Sequence, residues 1–234
     1  MNAAASPACC TRVTGGADAA SGVIWRGLEF TRALSLEPWV ELARGAASFD
    51  ASGVWAVDGS WAEQEATAAL SWSGRPGTGR VFGTAYAFPG ATRDLPSPVG
   101  EVSIEYETAG PTPVRVTVSR NVAHDPEHAA AAGLGAAHTW ARTSGELFTV
   151  VALNRTRYYD ASAGAVLQVG AGAAREFRPA RHMAFTAGIA AIYSPAHARS
   201  WLLARCSLEF NPLDAWEAPP PERPLTHSLT RSSR

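Results

Sequence analysis

The sequence predicts an all-β fold: a closed antiparallel up-and-down transmembrane β-barrel of about 12 strands. Three observations carry that expectation. First, Val99 to Arg120 contains two segments that alternate almost without exception. Val102, Ile104 and Tyr106 oppose Glu101, Ser103, Glu105 and Glu107, and Val114, Val116 and Val118 oppose Arg115, Thr117 and Ser119. Strand side chains project to alternate faces, so each segment has one apolar and one hydrophilic side. Second, 46% of the residues are hydrophobic, yet no apolar run approaches the roughly 20 residues a membrane helix needs. Third, segments of about ten residues recur from Gly22 onward, and the last closes on the aromatic Phe210.

Composition sets limits. The net charge of −1 gives no basic stripe, which excludes nucleic acid as a partner. All 20 basic residues are arginine. Cys9 and Cys10 are adjacent and Cys206 lies far away, a spacing that suits neither a zinc site nor a disulfide framework. The first 21 residues lack the charged start and apolar core of a secretory signal, so 1–21 reads as a disordered or truncated leader. The barrel is then 22–210. The tail, 211–234, holds a Pro/Arg/Ser-rich composition that cannot build a core, and disorder is expected there.

Taken in order, the first strand is placed at 23–31, although Ile24, Arg26, Leu28 and Phe30 share a parity and the alternation is not clean. Strands follow at 38–46, 53–59, 65–73 and 80–88. Phe82, Tyr86 and Phe88, with Trp72, Trp140 and Tyr193, gather near segment ends and read as an interfacial girdle. The two alternating segments give strands at 99–107 and 112–120, and 131–142, 146–153 and 164–174 come next. In 182–193, Met183, Phe185, Ile189 and Tyr193 face outward, opposite small residues. In 200–210, Arg205 and Glu209 face inward. Long connections at 89–98, 121–130 and 154–163 alternate with shorter ones at 74–79, 108–111 and 143–145, as external loops and periplasmic turns do. One internal turn, 175–181, is longer than that rule expects.

A turn centred on Gly110 would set Tyr106 beside Val114 and Ile104 beside Val116, with Glu105 opposite Arg115 and Ser103 opposite Thr117. An arginine facing lipid near mid-membrane costs about 2–4 kcal/mol, so the valines face out and Arg115 faces in. The same cost turns Arg26 inward, to pair with a nearby glutamate or to help bind an anionic solute. The expected lumen-lining residues are Arg26, Glu101, Glu105, Arg115, Arg205 and Glu209. They either fill the barrel as internal ion pairs or tune which solutes pass.

Catalytic and metal chemistry find little support. His124, Asp125, Glu127 and His128 form the densest group of metal-ligating types, but Pro126 argues against the helix that would align two histidines, and a solvated loop is expected. His138 stands alone within a strand, and no nucleophile elbow surrounds any serine. The glycine pairs Gly133/Gly135 and Gly170/Gly172 precede no helix pattern, so they are not dinucleotide fingerprints. No enzyme activity, metal or cofactor is expected.

Four short segments resemble a bacterial family of outer-membrane porins of poorly defined function, called TorF-like or Gcw_chp. They are Val23-Ile24-Trp25-Arg26-Gly27, Gly53-Val54-Trp55-Ala56, Gly83-Thr84-Ala85-Tyr86-Ala87-Phe88-Pro89 and Gly100-Glu101-Val102. The resemblance runs in order from about Gly22 to Phe210. It implies a bacterial outer-membrane location and a porin-like role, and supplies no catalytic residues. The expected function is a channel for passive diffusion of small solutes, with the lipid bilayer and the barrel-assembly machinery as partners. Two alternatives are a non-conducting barrel that binds a partner through its external loops, and a soluble ligand-binding β-barrel with the apolar face turned inward.

Overall fold

The structure, a computed structural model, describes residues 11–89, 98–180 and 182–210. In chain order the strands are β1 (Arg12–Ala20), β2 (Val23–Trp25), β3 (Leu28–Thr31), β4 (Ser35–Arg44), β5 (Ala47–Ala56), β6 (Ala62–Gly74) and β7 (Gly77–Ala87). They continue with β8 (Val99–Thr108), β9 (Val114–Ala123), β10 (Ala130–Trp140), β11 (Thr143–Ala152), β12 (Val166–Ala180), β13 (Met183–Ser194) and β14 (Arg199–Phe210). Twelve of them, β1 and β4 to β14, form one closed barrel, and β2 and β3 form a separate two-stranded hairpin. Every barrel contact is antiparallel. β1 closes the ring by pairing with β14 on one side and β4 on the other.

Twelve strands are as expected, but the first is a different one. The segment 23–31 is the hairpin, and the barrel's first strand lies within the supposed leader, at Arg12–Ala20. The shared parity of Ile24, Arg26, Leu28 and Phe30 has a physical cause: the chain reverses at Arg26-Gly27, so parity is not conserved across it. Residues 1–10, with Cys9 and Cys10, and the tail 211–234 lie outside the described residues. So do residues 90–97, most of the expected 89–98 loop.

Other corrections concern reach and register. Of the presumed long turn 175–181, residues 175–180 are strand, because β12 runs on to Ala180 against β13; residue 181 lies outside the described residues. β5 begins well before the expected 53. Across β8 and β9 the register is two residues from expectation: Tyr106 faces Val116, Ile104 faces Val118, Glu105 faces Thr117 and Glu107 faces Arg115. Residues 109–113, which include two prolines, span that turn, so it is wider than a tight turn at Gly110. A two-residue shift preserves the faces.

Short connections gather at one end of the barrel and longer ones at the other, where the hairpin also enters. Outward side chains are apolar around the wall. Leu36, Val40 and Leu42 on β4, Ile104 on β8, Val114, Val116 and Val118 on β9 and Leu202 on β14 are all exposed. Aromatics ring the turn end: Phe49, Trp72, Tyr106, Trp140, Phe177 and Phe210 are exposed there. The Trp72 indole covers Gly79 on the neighbouring strand so closely that a β-carbon would lie 2.1 Å from the ring. Phe82, Tyr86 and Phe88 do not join this girdle. They point inward and are buried at 2%, 3% and 6% exposure: Phe82 and Tyr86 share the parity of Thr84 on β7 and not of Val81, and Phe88 follows just past the strand's end.

Candidate functional site: a hairpin locked inside the barrel

The hairpin β2–β3 turns through two residues, Arg26 and Gly27, with φ of 48° and 79°. Positive φ at both central positions is the two-residue hairpin geometry that matches strand twist, and it normally selects Asn or Gly. Gly27 meets that demand and one more. Its backbone presses on β12, where an added β-carbon would lie 2.1 Å from the Leu167 carbonyl oxygen. The Gly27 N–H donates to Gln168 Oε1 at 2.9 Å. Arginine at φ 48° is strained and persists because its surroundings fix it.

Those surroundings are a charge cradle. Arg26 donates from Nη1 to Glu101 Oε2 at 2.6 Å and from Nη2 to Glu101 Oε1 at 3.0 Å, a two-pronged pair. Nη1 also donates to the Tyr159 hydroxyl. The guanidinium stacks 4.5 Å from the Trp25 ring and 5.5 Å from the Tyr159 ring. Glu101 is 2% exposed, and Ser103 and Tyr86 donate to its Oε1 at 3.1 and 3.4 Å. Glu63 and Glu65, buried on β6, bring further negative charge to the Tyr86 hydroxyl beside it.

Above the cradle, aromatic rings from distant parts of the chain meet across the bore. Trp25 contacts Phe30, Tyr86, Tyr158 and Tyr159, and Phe30 stacks on Trp61 with ring centres 4.4 Å apart. Phe88 joins both Phe30 and Trp61. Val99, Leu167 and Tyr159 in this cluster have no exposed surface. The 154–163 loop is therefore not simply solvated: Tyr158 and Tyr159 fold down onto the hairpin. Burial pushes the Tyr159 hydroxyl up to about 12, against the pull of Arg26, and raises Tyr158 as well. On the other flank, Ile24 packs on Ala190 and Ile192, and the Trp201 indole donates to Glu29.

Further charges line the inner face below the hairpin. Arg205 pairs with Asp18 and lies 4.0 Å from Glu37. Arg80 lies 3.8 Å from Asp50 and opposite Glu105. Arg12 lies 3.5 Å from Glu41. Of the expected lining residues, Glu101, Glu105, Arg115, Arg205 and Glu209 have inward parity on their strands. Arg26 reaches the interior from the hairpin tip instead of the wall. Glu105 accepts from Thr117 at 3.2 Å. Arg26 and Glu101 are brought together, Arg115 lies opposite Glu107 rather than Glu105, and Arg205 and Glu209 sit on β14. Sequence reasoning missed Asp18, Glu37, Asp50, Glu63 and Glu65. Their inward parity on β1 and β4 to β6 was the available signal, and the expected early strands left out all of them but Glu65.

Metal and nucleophile readings gain nothing from the geometry. Asp125 is buried and serves its own loop, accepting from Asn121 Nδ2 and the Ala129 N–H at 2.8 Å each. His138 faces outward, 2.8 Å from the Thr112 hydroxyl. Among the described residues no group of three metal-ligating side chains converges.

The chain is thus a closed β-barrel of twelve strands with an apolar exterior, a charged interior and an internal hairpin. Two solved structures are similar to it in fold: the KdgM porin, and the KdgM porin in complex with disordered oligogalacturonate. Each is 6% identical with a TM-score of 0.57, covering 86% of this chain and 99% of the porin. A third, from work on in-meso crystallization of membrane proteins, is 10% identical with a TM-score of 0.56 over 88% of this chain and 86% of its own. No family model and no curated protein matches the chain.

Proposed function

We propose that this chain is a porin-like β-barrel of the bacterial outer membrane whose bore is held shut by its own hairpin. The single observation that carries the reading is the Arg26–Glu101 pair, which fixes a folded segment across the inside of a barrel with an apolar outer wall. A soluble barrel would have to leave the apolar circumference in water. Full burial of one Val or Leu side chain is worth about 1.5–3 kcal/mol, and the wall exposes such side chains on every face. The fold shared with the KdgM porin and the four TorF-like segments support the same reading. Val23 to Gly27, Val54, Tyr86, Phe88 and Glu101 come from those four segments, and all meet at the plug.

In this reading Glu101, Glu105, Arg115, Arg205 and Glu209 line the path that small solutes take once the hairpin leaves, and Arg26 is the latch that keeps it in place. The lipid bilayer and the barrel-assembly machinery are its partners. Passive diffusion is the transport mode, with lining charges setting preference. The test is planar-bilayer conductance of refolded protein beside a variant in which residues 22–33 are replaced by a short Gly/Ser linker. Rare, small openings in the natural chain and steady conductance in the variant support the proposal. Silence from a correctly folded hairpin-less barrel favours the non-conducting, partner-binding reading.

A further inference from the structure

We propose that the interior of this barrel admits cations in preference to anions, with the sign set by a one-sided excess of carboxylates on the inner wall. The proposal rests on the porin-like reading above and adds the class of solute. Every acidic residue on the twelve barrel strands has inward parity, twelve in all, whereas the nine arginines on those strands divide. Arg44, Arg120 and Arg175 face outward, which leaves six on the inner wall. The excess does not depend on which ion pairs form, because six arginines can match at most six carboxylates. Nor does it come from composition, since the whole chain carries a net charge of only −1.

The excess is concentrated on one side. β1 and β4 to β8 are neighbours and make half of the ring. β1, β4 and β5 bring Asp18, Glu37, Glu41 and Asp50 to it. β6 and β8 bring five more, of which Glu101, Glu105 and Glu107 share the inner face of one strand. Against these nine the same strands turn only Arg12 and Arg80 inward. Arg205 reaches over from β14 to Asp18 and Glu37 and offsets part of the difference. In a ring of twelve, β12 stands opposite β6. There β10, β12 and β13 turn Gly135, Ala137, Gly172, Ala174 and Gly188 inward, and these small residues leave room on the side that the carboxylates face.

Opening strengthens the sign. With the hairpin in place Arg26 matches Glu101, and when the hairpin leaves it takes that positive charge away. Low-dielectric walls focus the field of like charges along a narrow path and enrich counter-ions there by about tenfold or more. Acidic linings act in this way in cation channels. Oligogalacturonate, found in complex with the KdgM porin, is a polyanion and has the sign this wall repels.

The experiment measures reversal potentials in planar bilayers under a potassium chloride gradient. It compares openings of the full chain with those of the variant in which residues 22–33 are a Gly/Ser linker. Potassium should permeate about tenfold more readily than chloride. Glu105→Gln/Glu107→Gln should lower that ratio and Arg115→Gln should raise it. Equal permeation, or a preference for chloride, overturns the proposal and leaves the channel reading standing. If neither protein conducts, the channel reading falls alone, and the sign of the interior is read from a titratable probe in the full chain. Gly133→Cys, in a chain whose three natural cysteines are serine, carries a pH-sensitive imidazolidine nitroxide that is a cation when protonated. A β-carbon at 133 meets nothing nearer than 3.8 Å, and the position faces the bore beside Thr117. Burial alone lowers the titration midpoint of such a group, whereas a negative wall raises it. A midpoint above that of the free label, lowered by Glu105→Gln/Glu107→Gln, supports the proposal. A midpoint at or below that of the free label overturns it.

Discussion

At the scale of single residues, the account concentrates on Arg26 and Glu101. Burying two charges is costly, and the pair is held by a fork of hydrogen bonds reinforced by Ser103, Tyr86 and Tyr159. Removing one partner strands the other. Glu101→Gln should therefore destabilise the folded barrel by about 3–5 kcal/mol, read as a lower unfolding midpoint in urea. Tyr159 gives a pH prediction with a definite sign. Its hydroxyl is raised from about 10 to about 12, so the folded state favours the neutral phenol. That contribution is complete below pH 10 and is lost as pH climbs through 12. No lysine titrates in that window, because every basic residue is arginine, and Tyr158, raised by the same burial, adds to the same fall. Thermal stability in detergent should fall between pH 10 and 12, and Tyr159→Phe should flatten the fall.

At the scale of elements, the hairpin and the strands around it decide what was legible. β8 and β9 can be read most directly from the sequence because valine and isoleucine alternate there with charged or hydroxylated residues. β1 cannot be read that way. Gly15, Gly16, Ala17, Ala19 and Ala20 offer almost no contrast between faces, so a strand that pairs on both edges resembles a leader. The hairpin was misread for the opposite reason: it is apolar on most sides because it is surrounded by protein. Arg26 as an inward residue with a glutamate partner followed from cost alone, whereas the partner's identity needed the fold, since the two are 75 residues apart. Girdle and plug aromatics look alike in sequence, and only register separates Trp72 from Tyr86. Gly27→Ala tests the element directly. It places a methyl group against the Leu167 carbonyl at a φ of 79° and should cost about 1–3 kcal/mol. Because the damage falls on the seat of the hairpin, the same variant should open more often than wild type in bilayer recordings.

At the scale of the whole molecule, the barrel solves two problems with one alternating pattern. In the proposed function outward residues satisfy hydrocarbon; inward residues hold a charged interior, while the loop end borrows a hairpin and two tyrosines to fill the remaining width. Twelve strands enclose more space than the filled eight-stranded barrels and less than open porins, so a short hairpin is large enough to stop the bore. Val116→Arg, on the outer wall, should cost about 2–4 kcal/mol in a bilayer, far more than a polar change at inward Ser119.

The measurement that reaches the central claim most directly is a nitroxide scan of β9 in lipid vesicles. Labels at 114, 116 and 118 should collide freely with oxygen dissolved in the hydrocarbon and little with a water-soluble nickel chelate. Labels at 117 and 119 should be shielded from oxygen. The reverse alternation, with the valine positions shielded and Arg115 reporting the outer medium, would contradict an apolar wall facing lipid around a plugged bore.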